Sequence, residues 1–112
     1  MFTSEQLARE FIAVVEDFYP QIGVLLQRCC VRAINAYSKT SRKHFRYIGI
    51  YCPEDLMAAV QLHKYPLREI AENMGLVEVV CINATRLLRD PMSNLKYTDP
   101  RFWLELHLLL RN

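Results

Sequence analysis

The residues best suited to act on another molecule are cations set among aromatic rings. Lys39, Arg42, Lys43, His44 and Arg46 fall within eight positions, and Tyr37, Phe45 and Tyr47 interleave with them. Lys and Arg on one accessible face bind phosphate by releasing its counterions, and aromatic rings add stacking surface. A solvated turn carries the same residue types, so the cluster is read against that alternative. A second basic set lies towards the carboxy terminus: Arg86, Arg89, Lys96 and Arg101. Arg86 and Arg89 are three apart and would share a helix face, and Arg101 lies at the start of the last helix, where backbone N–H groups favour phosphate. The candidate DNA contacts are therefore Lys39, Arg42, Lys43, Arg46, Arg86, Arg89, Lys96 and Arg101.

Three other constellations are weaker. Arg101 and His107 stand in an R-x-x-x-x-x-H spacing that is similar to the helical HEPN ribonucleases, but Phe102 replaces the usual polar residue after the Arg. A His among leucines is more simply a core or interface residue. Leu67 to Arg89 has a helix-turn-helix outline around Gly75, yet Val79, Val80 and Ile82 would occupy a recognition helix, where base-reading polar residues belong. The cysteines, Cys29, Cys30, Cys52 and Cys81, show no C-x-x-C spacing and read as free thiols in a reducing compartment. A disulfide between subunits through Cys52 or Cys81 is left open. No metal site, cofactor or catalytic residue is expected; the chain reads as a binder.

The elements that must position these residues are read as helices. Thr3 and Gln6 form a helix-start pair, followed by Leu7, Phe11, Val14, Val15 and Phe18 at helical spacing. Pro20 opens a second helix that the apolar positions Ile22, Leu25, Leu26, Cys29, Cys30, Ala33, Ile34 and Tyr37 carry onward. Residues 38–43 form a polar loop. The segment from His44 to Cys52 has strand-like residues but no evident partner strand, so a short helix or extended link is expected. Pro53-Glu54-Asp55 and Pro66 start further helices, and Gly75 ends the second of them. Residues 76–88 could be strand then helix or all helix, and their apolar positions read as mostly helix, ended by Asp90-Pro91. Asp99 caps a last helix with Pro100 at its first position.

The whole is expected to be all-α, one domain of five or six helices over residues 1–112. The length suits a single core, 52% hydrophobic content excludes a disordered tail, and a net charge of +2 does not by itself require nucleic acid. No apolar run near the start resembles a secretion signal and none is long enough to span a bilayer, so a soluble, cytoplasmic protein is expected.

Phe45-Arg46, Gly49-Ile50, Glu54-Asp55, Ala58-Ala59, Ala71-Glu72-Asn73 and Leu76-Val77 follow one another in an order that resembles the D subunit of the bacterial flagellar master regulator, FlhD. Thr3-Ser4-Glu5 with Leu7, and Leu25-Leu26-Gln27-Arg28, extend the resemblance to about two-thirds of the chain. A cysteine that follows Leu-Val in that family corresponds to Glu78, with Cys81 three positions on. The resemblance implies an all-helical, intertwined homodimer that joins a C-type subunit, FlhC, to bind promoter DNA and activate flagellar genes. Apolar faces expected to meet a second copy or that partner carry Leu7, Phe11, Leu25, Cys29, Phe102 and Trp103. A helical adaptor that binds only protein is the alternative.

Overall fold

The computed structural model describes residues 2–111 and replaces the expected helix bundle with a mixed α/β fold. Helices α1 (Ser4–Phe18) and α2 (Pro20–Leu26) lead into strands β1 (Cys30–Ser38) and β2 (Lys43–Cys52). A 3-10 turn at Glu54–Leu56 precedes α3 (Met57–Leu62) and α4 (Lys64–Asn73), and strand β3 (Val79–Asn83) follows. Helices α5 (Ala84–Arg89), α6 (Leu95–Thr98) and α7 (Pro100–Leu110) complete the chain. The sheet order is β1-β2-β3, with β1 antiparallel and β3 parallel to the central β2.

Three expectations are corrected here. The second helix stops at Leu26 and does not reach Tyr37. Its apolar positions fit a helical period, but Cys30 to Ser38 also alternates, with Val31 and Ala33 turned to one side and Cys30, Arg32 and Ile34 to the other. Pairing decides between the two: Cys30 opposes Tyr51 and Ser38 opposes Lys43, so β1 is the partner that 44–52 lacked. The segment after Gly75 is a strand, because Val79 and Val80 sit beside Ile48 and Gly49 of β2. With β3 in that place there is no recognition helix, and the helix-turn-helix outline is discarded.

Sheet alternation makes two cores. The inner face presents Ala33, Ile48, Ile50, Cys52 and Val79 to α1–α4, where Phe11, Val15, Val60 and Leu67 are fully buried. The outer face is covered only at one end, where Phe102 and Leu106 of α7 pack with Ala84 and the half-buried Tyr51. Burial on both sides of β2 explains its nearly continuous apolar run. Gly49 belongs to the outer face, and a Cβ there would lie 2.7 Å from Ile34 Cδ1.

The termini of the elements follow their local chemistry. Thr3 Oγ1 accepts from the Gln6 N–H, and the Gln6 side chain accepts from the Thr3 N–H, a closed capping box. At the end of α4, Gly75 has φ of +83° and the Leu76 N–H reaches the Ala71 carbonyl at 2.9 Å. That left-handed residue turns the chain from helix into β3.

No helix among the described residues is long and apolar enough to cross a membrane. Phe11 is fully buried in the larger core. Phe11→Ala is therefore expected to cost about 3–5 kcal/mol of stability, read from urea denaturation midpoints; a cost within error of zero would contradict this packing.

Candidate functional site

The β1–β2 hairpin gathers the first basic cluster at one end of the molecule. Lys39 to Arg42 forms the loop, Ser38 Oγ accepts from the Ser41 N–H, and Arg42 takes a left-handed φ of 57° to bring the chain back into β2. Lys39, Arg42 and Lys43 are all exposed and none is in an ion pair among the described residues. Tyr37 and His44 oppose each other across the ladder with ring centroids 4.9 Å apart. On the outer face, Phe45 and Tyr47 lie half-exposed, 6.3 Å between centroids, beside Ile34 and Ala36. This end of the outer face lies outside both core clusters. The hairpin thus offers three cations at its tip and aromatic rings on both of its faces.

The remaining sequence candidates do not join it. Arg46 is structural: its Nε donates to Asn35 Oδ1 at 2.8 Å and its guanidinium also bonds the Phe2 carbonyl at 3.1 Å. Arg86 lies 3.6 Å from Glu54 on α5, with Arg89 exposed on the same helix. That helix follows Asn83, which pairs with Cys52 at the far end of β2. Nine strand steps separate Lys43 from that end, roughly 30 Å. Lys96 Nζ sits 5.3 Å above the Trp103 ring. The two basic sets therefore face different ends of the molecule and cannot act as one patch on one chain.

Arg101 enters a third environment. An open groove of about 610 Å³ runs between α1 and α7 along β1, with Glu5 and Arg9 on one wall and Arg101 and Glu105 on the other. Arg32 bonds Asp99 at 3.2 Å within it, and the Arg32 guanidinium lies 4.3 Å from the Phe102 ring centroid. Its three bases and three acids balance, so the groove is a poor phosphate site. Its walls come from the two ends of the chain, so no local run of residues marks it. Arg101 and His107 are six residues apart on α7, about 120° around the axis. His107 instead meets the Trp103 ring edge-on, with centroids 4.1 Å apart, and lines a different cavity with Pro53 and Arg89. The ribonuclease pairing is not formed within the chain.

The residues expected at a dimer or partner interface are mostly spent inside one chain. Leu7, Phe11, Cys29 and Phe102 are buried in the two cores, and Leu25 packs half-buried against the larger one. Trp103, half-buried on α7, keeps part of its surface outward, as does Leu25. Cys52 is fully buried, which removes it as a link between subunits. No three His, Cys, Asp or Glu side chains gather as a metal site among the described residues.

Comparison with protein-family models, with curated proteins and with solved structures finds no significant match to this chain.

Two half-buried carboxylates at separate places, Asp99 and Glu78, are held below their usual pKa. Asp99 accepts from the Phe102 N–H as the cap of α7 and, second, from Arg32; Glu78 accepts from the Val79 N–H and faces Arg68. A carboxyl whose pKa is depressed by folding stabilises the fold above its unfolded value, about 4, and loses that contribution as pH falls through the folded value. The melting temperature is expected to drop on acidification below about pH 4. Asp99→Asn, which keeps a capping oxygen, should flatten part of that drop; an unchanged pH profile would contradict the assignment.

Proposed function

We propose that the chain is a non-catalytic nucleic-acid-binding module that engages phosphate through the tip of its β1–β2 hairpin. The observation that carries this reading is the exposed trio Lys39, Arg42 and Lys43, unpaired among the described residues and flanked by the rings of Tyr37, His44, Phe45 and Tyr47. A two-stranded ribbon fits the major groove of a duplex, and aromatic side chains on a strand stack on unpaired bases. Contact through three cations alone is weak, which suits a subunit that binds promoters tightly only in company. Promoter binding beside a C-type subunit therefore remains the form of this proposal that the FlhD-like residue order suggests. The all-helical fold that came with that resemblance is set aside.

A second reading, a protein-binding adaptor, is favoured by a separate observation. The Ile48 N–H bonds the Glu78 carbonyl, so even-numbered residues of β2 turn their backbone to β3 and odd-numbered ones to β1. Val31, Ala33, Asn35 and Tyr37 then point their own N–H and C=O groups off the free edge of β1, where a partner strand can pair.

The two readings separate by salt. Three phosphate contacts predict that affinity for a duplex falls about 40-fold between 50 and 200 mM salt, from a slope of roughly −0.9 per contact. Lys39→Glu with Arg42→Asn and Lys43→Glu is expected to abolish binding measured by fluorescence anisotropy, Asn being chosen because it tolerates the left-handed turn position. Arg86→Glu with Arg89→Glu is expected to leave it within about twofold. Binding that survives the hairpin variant would overturn the hairpin site, and no binding by the native chain at low salt, with or without a C-type partner, would leave the adaptor reading in its place.

A further inference from the structure

Cys29 and Cys52 are distant in sequence but adjacent in the fold. Cys30 opposes Tyr51 in the β1–β2 ladder, so one further step of the same register sets Cys29 across from Cys52. Tyr51 turns its backbone to β1, which makes Cys30–Tyr51 a hydrogen-bonded pair and the next pair a non-hydrogen-bonded one. Residues in such pairs have Cα atoms about 4.5 Å apart, inside the span a disulfide bridges. Both side chains belong to the inner-face core, where the Cys29 thiol donates to the Leu25 carbonyl and the Cys52 thiol to the Ile50 carbonyl, each at 3.5 Å. Cys29 retains 9% exposure while Cys52 has none.

We propose that Cys29 and Cys52 form an oxidisable dithiol, a modification site at which hydrogen peroxide closes an intramolecular disulfide. The Cys29 thiolate attacks one peroxide oxygen; an S–O bond forms, the O–O bond breaks, and hydroxide leaves as water after taking a proton. The Cys52 sulfur then attacks the sulfur of the Cys29 sulfenic acid. The S–S bond forms, the S–OH bond breaks, and a second water leaves with the Cys52 proton. Two thiols are oxidised by two electrons and one peroxide is reduced to two waters.

The environment assigns the two roles. The polar Cys52 thiol beside it and, less, Arg28 lower the Cys29 pKa against the opposing effect of burial. The Cys29 thiol and burial raise that of Cys52, so Cys29, the less buried of the two, is also the readier nucleophile. Cys30 is a poor rival: it faces the outer side of the sheet, and burial and Glu105 push its pKa up to about 11. Cys81 is half-buried and raised by burial, and its register partner is Ile50, not either cysteine. A bond between Cys29 and Cys52 would tie the α2–β1 junction to the end of β2, closing a loop that contains the whole hairpin.

The test treats the folded native chain with hydrogen peroxide and counts thiols by iodoacetamide and intact mass. Four alkylatable thiols are expected to fall to two. The proteolytic map should show a Cys29–Cys52 cross-linked peptide, and dithiothreitol should restore all four. Closure should also raise the melting temperature, because it restricts the unfolded chain. In Cys52→Val, peroxide should stop at a sulfenic acid on Cys29 that dimedone traps. Should that variant fail to fold, the native-chain map still decides. Four thiols persisting after peroxide excess would overturn the proposal. So would a disulfide made by Cys30 or Cys81, or one linking two chains.

Discussion

The antiparallel pairing of Cys30–Ser38 with Lys43–Cys52 is the constraint on which the rest of the molecule depends. It fixes which side chains face α1–α4 and which face α7, since a one-residue slip would exchange the two faces. It supplies the central strand onto which β3 adds in parallel after the α3–α4 crossover. It also sets the geometry of every feature with functional interest. The loop that closes the pair carries the basic tip, the uncovered end of its outer face carries Phe45 and Tyr47, and the step beyond its open end brings Cys29 to Cys52.

Charge is distributed so that this tip stands apart. Arg28 is engaged by Asp55, Arg32 by Asp99, Arg68 by Glu72 and Glu78, and Arg86 by Glu54. Arg46 ties β2 to β1 and to the amino-terminal segment. These exposed pairs contribute little stability individually. Their larger effect is to neutralise part of the surface away from the hairpin, while Lys39, Arg42 and Lys43 gather three cations in one loop on a chain of modest net charge.

What the sequence made legible was punctuation. The Thr3 capping box, Pro20 and Pro100 at helix starts, the Gly75 stop and the Asp99 cap are all present as read, because each depends on a residue and its near neighbours. The strands were hidden because a strand is defined by a partner elsewhere in the chain. Ile22, Leu26, Cys29, Ala33 and Tyr37 fit a helical period, and no Gly or Pro separates α2 from β1 to break it. In β2, burial of both faces from Ile48 to Cys52 erased the alternation that marks a half-exposed strand. The all-α expectation failed at these two segments and at β3, and the FlhD-like order of residues between Phe45 and Val77 runs through β2 and the approach to β3. The basic tip was visible as composition, but its isolation from Arg86, Arg89 and Arg101 required the fold.

The most direct measurement is a titration of the isotopically labelled chain with a short DNA duplex and its single strand, followed by backbone amide shifts at low salt. The account predicts shifts concentrated in residues 37–47, fading as salt rises, with α5 and α7 little affected. Shifts centred on Arg86, Arg89 or Arg101, or none at any nucleic-acid concentration, would contradict it.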